Sequence, residues 1–308
     1  MIVDCHGHFI QKESFLRIGK KYATDELAKR AYERISQSPD EVELATTHET
    51  WVESLDQYGV DKVLLQTAPF GSSDGVAEFI NNGPSSDRFV GIANIDMMDP
   101  EGSKSVQEVE RVKELGLKGI GELYPSIGPW DPADEKLYPV YEKAQELELP
   151  IMLHLSYESY PASFVHLRYD DPYLLDPVLR NFPDLPFIIC HMGIDKVHHL
   201  YILMKARKNV YAEISSNSVH VPTPYSGFFN ITPQQVMEKF INQGFADRLM
   251  WGTDVRGPYF LKEQQNLKPR CGKTIEENNV VKILDEINVS EEDKAKILGE
   301  NAKRLFKL

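Results

Sequence analysis

Six side chains able to ligate a metal ion recur along this sequence at the downstream ends of short apolar runs: His6 and His8, Glu122, His154, His191 and Asp254. Imidazole nitrogens and carboxylate oxygens are the donors that hold zinc or manganese, and such an ion acidifies water and polarises a carbonyl at neutral pH. The runs that precede these residues are 1–3, 117–121, 150–153, 186–190 and 248–253, each reading as a buried strand. A single such coincidence is cheap. Five in register imply one mouth ringed with ligands.

The first pair is the most informative. Along Asp4, Cys5, His6, Gly7 and His8, period-two alternation turns positions 4, 6 and 8 to one side and Cys5 into the wall behind them, away from the metal. At strand rise the two histidine Cα atoms stand about 6.6 Å apart, a span that one ion bound at about 2.1 Å can bridge. Each residue also has a plainer reading. His154 and His191 taken singly are satisfied core histidines, and Asp254 is an ordinary helix N-cap. What favours ligation is convergence, because that many buried acceptors facing one axis without a cation would repel or stay unpaired.

Eight strand-like runs supply the axis: 2–5, 62–66, 89–95, 117–122, 150–155, 186–191, 209–214 and 248–254. Between them lie helical periodicities at 47–58, 105–115, 137–147, 174–180, 236–240 and 280–287; in 105–115, Val106, Val109, Val112 and Leu115 make one stripe and Gly116 stands at the stop. Strands alternating with helices predict a parallel sheet, and eight of them predict one α/β domain over 1–308. It is a (β/α)8 TIM barrel with extended loops after strands 1 and 8 and a C-terminal helical tail. Active sites of that fold lie at the carboxyl ends of the strands, where the six ligands are. The segments 9–46, with a helix near 25–36, and 255–273 are too long for ordinary connections and read as lids or specificity loops.

The 308 residues are 42% hydrophobic, enough for a large core, and the net charge of −13 opposes any nucleic-acid role. Three cysteines, Cys5, Cys190 and Cys271, form neither a CxxC pair nor an even framework, which fits a reducing cytoplasm. No leader peptide and no membrane span are expected. The partner implied is a small-molecule substrate, and a homo-oligomer is compatible with the sequence.

The pieces VDCHGHF, ELGLKGIGELYP, PIMLHL, FPDLPFIICHMG, LMWGTD and ILGENAKRLF occur in an order that resembles the amidohydrolase superfamily. The likeness is to its amidohydrolase-related branch of metal-dependent hydrolases and nonoxidative decarboxylases, and it runs over nearly the whole chain. The resemblance implies that His6, His8, His154 and His191 bind or approach metal. It also implies that Asp254 is both ligand and proton shuttle to the attacking water. Strand 4 departs from the binuclear pattern of a carboxylated lysine. Glu122 stands there instead, similar to the glutamate of TatD-type hydrolases, either bridging two ions or hydrogen-bonding a histidine or substrate group.

The mixed nitrogen and oxygen donors suggest Zn²⁺, with Mn²⁺ as substitute, as one or two ions. Asp254 and His191 are the expected catalytic residues. Asp254 accepts a proton, while His191 stabilises an oxyanion or shares in proton transfer at one ion and serves as a ligand at two. Tyr124, Tyr157, Arg168 and Arg256, just beyond strand ends, are the candidate substrate contacts, the arginines through their bidentate fork for a carboxylate. His48, His166, His198, His199 and His220 read as surface or helix residues. The leading expectation is hydrolysis of an amide, lactone or related bond in a small carboxylate-bearing molecule. The alternative is nonoxidative decarboxylation of an aromatic or enoic acid, and a third reading is a non-catalytic metal-binding barrel. Replacing both His6 and His8 with Ala is expected to remove most metal from the isolated protein by elemental analysis; wild-type retention would defeat the ligand assignment.

Overall fold

In the computed structural model, apolar runs and amphipathic helices alternate through the described residues 1–9, 47–67, 71–98, 103–127, 130–155, 165–215, 233–257 and 284–308. The strands are β1 (Val3–Phe9), β2 (Lys62–Thr67), β3 (Phe89–Ala93), β4 (Gly119–Leu123), β5 (Ile151–Leu153), β6 (Phe187–Ile189), β7 (Val210–Ile214), β8 (Leu249–Trp251) and β9 (Val255–Arg256). Between them run α1 (His48–Gln57), α2 (Ser73–Asn81), α3 (Ser103–Glu114), α4 (Tyr138–Glu146), α5 (Asp176–Asn181), α6 (Val197–Ala206) and α7 (Pro233–Asn242). The ends of α1 follow from its sequence. Thr47 and Thr50 form a reciprocal N-terminal cap, and Gly59 takes the left-handed φ of 67° just beyond it.

All pairings are parallel, each strand beside its sequence neighbour. The short β9 is the eighth strand resumed: residues 249–251 pair with β7, and Val255 and Arg256 pair with Gly7 and His8 of β1. One stretch of chain therefore closes the ring, giving the expected TIM barrel. Among the described residues no helix is long and apolar enough to cross a membrane.

Two apolar clusters follow from the alternation. One joins the outward strand residues, such as Val63, Leu65, Ile151, Leu153, Phe187 and Ile189, to the helices. The other fills the barrel with Val3, Cys5, Leu64, Ile92, Met152, Ile188, Cys190 and Met250. Cys5 is thus inside the barrel. The expectation that it faces the wall is corrected, because β1 does not keep strict alternation through Cys5 and His6. The helix expected over 280–287 is described only from 284, and the loops expected over 9–46 and 255–273 lie almost wholly outside the described residues.

The tail reads as helix and is helix, as α8 (Glu291–Ala295), a π-helical turn (Lys296–Glu300) and α9 (Asn301–Phe306). Ala302 and Phe306 close the floor of the inner cluster. Asn301, fully buried, donates through Nδ2 to the carbonyls of Ala246 and Leu249, 2.7 Å each, and so ties the tail to the start of β8. Asn301→Ala leaves two buried carbonyls without that donor and is expected to cost about 1–3 kcal/mol. Urea unfolding measures it, and an unchanged midpoint would show that the tail is held by its apolar contacts alone.

Candidate metal centre

Strict alternation would have turned two of the ligand strands the wrong way. With Val3 and Cys5 inside, His6 and His8 would face out; with Ile120 in the outer cluster, Glu122 would follow it. Each strand carries one extra residue at that place. Asp4 to Gly7 runs against Val63 to Leu65, and Ile120 to Leu123 runs against Ile151 to Leu153. An added residue reverses the parity beyond it, so His6, His8 and Glu122 face the axis. Gly121 makes the second irregularity sterically feasible: at φ 145°, a Cβ there would stand 2.6 Å from that of Met152. His154 needs no such device, since it continues the inward parity of Met152. His191 and Asp254 are aimed by left-handed backbone, φ 56° and 59°, a conformation that costs about 1–3 kcal/mol for non-glycine residues and gathers at functional sites.

The six expected ligands come together. The carboxylate of Glu122 lies at the centre with its two oxygens divided between two groups. Oε2 is 3.2 Å from His6 Nε2 and 3.8 Å from His8 Nε2, while Oε1 is 2.8 Å from His154 Nδ1 and 3.2 Å from His191 Nε2. Asp254 Oδ1 stands 3.1 Å from His8 Nε2 and 3.6 Å from His6 Nε2, and the two Nε2 atoms are 3.2 Å apart. Donors tetrahedrally arranged around an ion at about 2.1 Å are separated by about 3.4 Å. The measured separations scatter about that value, so the donor set fits a divalent ion in size as well as in type.

Burial and charge act against each other here. Burial disfavours a charged His6, but the Glu122 and Glu213 carboxylates outweigh it and hold the imidazole well above its usual range. At His8 burial prevails over the Asp254 contact and lowers the value. Burial alone would raise Glu122, yet His6 and His154 bring it well below the ordinary carboxylate range. Asp254 is likewise lowered against the effect of burial, chiefly by its bond to His8. Burial pushes the Cys5 and Cys190 thiols well above their usual range.

Sequence reasoning missed the residues that orient these side chains. Glu213 of β7, fully buried, accepts from His6 Nδ1 at 2.9 Å and from the His191 backbone N–H at 3.3 Å. Ser215, two residues on, bonds His191 Nδ1. Both imidazoles thereby present Nε2 to Glu122, as metal-binding histidines do when the second nitrogen is held by an acceptor. Gly252 makes room, since a Cβ there would lie 2.3 Å from Glu213 Oε1. The available signal was a lone carboxylate inside the apolar run Val210–Ile214. The Asp4 carboxylate also escapes sequence reasoning: it accepts from the N–H groups of His6 and Thr253 and from the Thr253 hydroxyl, at 2.6–3.0 Å.

The expected substrate contacts divide. Tyr124 donates its hydroxyl to Glu122 Oε2 and stacks on His154. Arg168 is exposed, over the ring of Tyr169, and does not join the cluster. Arg256 has its backbone beside His8, with its side chain outside the described residues, as are Tyr157 and His220. Of the histidines set aside, His48 lies on α1 but is buried, donating through Nε2 to the Phe79 carbonyl. His199 sits on α6 against Asp171.

A closed parallel barrel with histidines and carboxylates converging at its carboxyl end defines a metal-dependent barrel enzyme. The amidohydrolase family model matches residues 3–308, and the chain belongs to that family, whose members are metal-dependent hydrolases and decarboxylases. Among solved structures it is similar to 5-carboxyvanillate decarboxylase of Novosphingobium aromaticivorans, bound to manganese and 3-methoxy-4-hydroxy-5-nitrobenzoic acid. The identity is 20%, with 100% of this chain and 97% of that one covered and a TM-score of 0.64. A probable 2-pyrone-4,6-dicarboxylic acid hydrolase of Acinetobacter baumannii with bound citric acid matches at 18%, covering 100% and 99%, TM-score 0.62. Dihydroxybenzoic acid decarboxylase of Polaromonas sp. JS666, with manganese and 2-nitroresorcinol, matches at 19%, covering 100% and 97%, TM-score 0.62.

Metal uptake by the metal-free protein is expected to release protons, because a His6 held above its usual range must give up its proton to become a ligand. The sign follows directly. Apparent affinity rises with pH until His6 is neutral in the metal-free protein, and falls on acidification. Calorimetric titration with Zn²⁺ in buffers of different ionisation enthalpy measures the release at pH 7; buffer-independent heats would contradict it.

Proposed function

We propose that this protein is a metal-dependent hydrolase acting on an amide, lactone or related bond of a small, carboxylate-bearing organic molecule. The observation that carries the reading is the division of Glu122, one oxygen toward His6 and His8 and the other toward His154 and His191. His6, His8, Asp254 and Glu122 Oε2 would hold one ion, zinc or manganese, and Glu122 Oε1, His154 and His191 a second. When bound, the ions supply an acidified water and a polarised carbonyl.

The side chains do the rest. Asp254, the most exposed of the carboxylates at the centre with 10% of its side chain accessible, would accept the proton of the attacking water and pass it to the leaving group. Glu213 and Ser215 keep His6 and His191 in one orientation, and Tyr124 holds the Glu122 carboxylate. The apolar floor excludes bulk water and strengthens each of these contacts. A cytoplasmic setting is part of the reading, supported by the free, buried Cys5 and Cys190.

A second reading is nonoxidative decarboxylation of an aromatic or enoic acid. It is favoured by the compact group of His6, His8 and Asp254, 3.1–3.6 Å apart, which suffices for one ion. Likeness to two manganese-bound decarboxylases supports it as well. Metal stoichiometry separates the two. Glu122→Gln is expected to lower the content from about two ions per chain toward about one, as a charged bridging ligand becomes a neutral amide. One ion in the wild type would move the assignment to the decarboxylase. Asp254→Asn should reduce turnover by about 10²–10⁴ in a folded protein, the range for lost acid–base catalysis; unchanged turnover would remove Asp254 from the mechanism.

A further inference from the structure

Gln66 stands beside His8, the two being register partners across β1 and β2. Alternation along β2 assigns Val63 and Leu65 to the outer cluster and Leu64 to the inner one, so Gln66 faces the barrel interior at the level of the metal ligands. Its side chain is fully buried, and among the described residues neither Nε2 nor Oε1 has a hydrogen-bond partner, nor has Nδ1 of the adjacent His8. By contrast Glu213, Ser215 and Tyr124 each bond a ligand residue. A leucine would fill the same space without cost, whereas a buried amide is unfavourable until something bonds to it.

We propose that Gln66 is a substrate-recognition residue, its amide binding the oxygen substituent next to the carboxylate of a small acid seated at the metal centre. The amide offers an N–H donor and a carbonyl acceptor side by side. It therefore matches a group that presents an acceptor and a donor on neighbouring atoms, as a 2-hydroxy acid does. The substrate class narrows accordingly, from small carboxylic acids to those bearing hydroxyl or a comparable donor beside the carboxylate. The inference rests on reading the barrel mouth as a site for such acids.

Glycolate and acetate, which differ by that hydroxyl alone, are the probes, titrated into the metal-loaded protein by calorimetry. The wild type is expected to bind glycolate more tightly than acetate. Gln66→Leu should weaken glycolate by roughly three- to tenfold, the worth of one or two lost hydrogen bonds, with acetate affinity and metal content unchanged. Gln66→Met, equally long and apolar, serves if the leucine variant does not fold. Unchanged glycolate affinity would overturn the proposal, as would an equal loss for both probes, which marks packing. Loss of metal would overturn it too, by making Gln66 a support for His8. Because the probes read binding without turnover, a negative result here leaves the hydrolase reading to the stoichiometry of Glu122→Gln.

Discussion

A carboxylate with 1% of its side chain exposed stays ionised only if cations or donors surround it, and Glu122 is enclosed by three strands' worth of imidazoles. Much of the barrel's local geometry serves that enclosure. The extra residues in β1 and β4 bring His6 and Glu122 to the axis, the left-handed turn at His191 brings a third strand's side chain in, and Gly121 lets β4 press against β5. None of these features favours a regular sheet. Each becomes intelligible once a buried charge must be matched from several directions.

The cost of assembling such a cluster is spread through partners one step further out. Glu213 binds the far side of His6, Ser215 that of His191, and Asp4 joins the start of β1 to Thr253 beyond β8. Below them the floor is apolar, from Leu64 and Met152 to Phe306 of the tail. A low-polarity floor strengthens every charge interaction above it and makes an unmatched polar atom there correspondingly unfavourable. The centre and the core are therefore not separable regions.

Element order, strand positions and the six side chains that converge on one centre are legible because each leaves a local trace: an apolar run, a helical stripe, a polar residue at a run's end. What stayed hidden depends on counting across strands. Nothing in the sequence around His6 or Glu122 announces that a neighbouring strand is one residue shorter at that place, so Cys5 was assigned to the wrong face. Glu213 carries a trace, a charge within an apolar strand, but its partner lies 207 residues away. Arg168 leaves no such trace: exposed over Tyr169, it stands outside the cluster although it follows a strand end in sequence.

The chain closes its ring with a segment that hydrogen-bonds β7 up to Gly252 and β1 from Asp254 onward. The aspartate at that junction faces histidines contributed by the opposite end of the chain, with a sequence separation of 246 residues. The side-chain cluster and the circular sheet are thus completed by the same event. A growing polypeptide emerging from the ribosome presents the pair at 6 and 8 early, but has no opposing carboxylate from the eighth strand until most of its length has been made. Contacts so distant along the chain form late. The group around Glu122 is thereby complete only once the first and last strands have met.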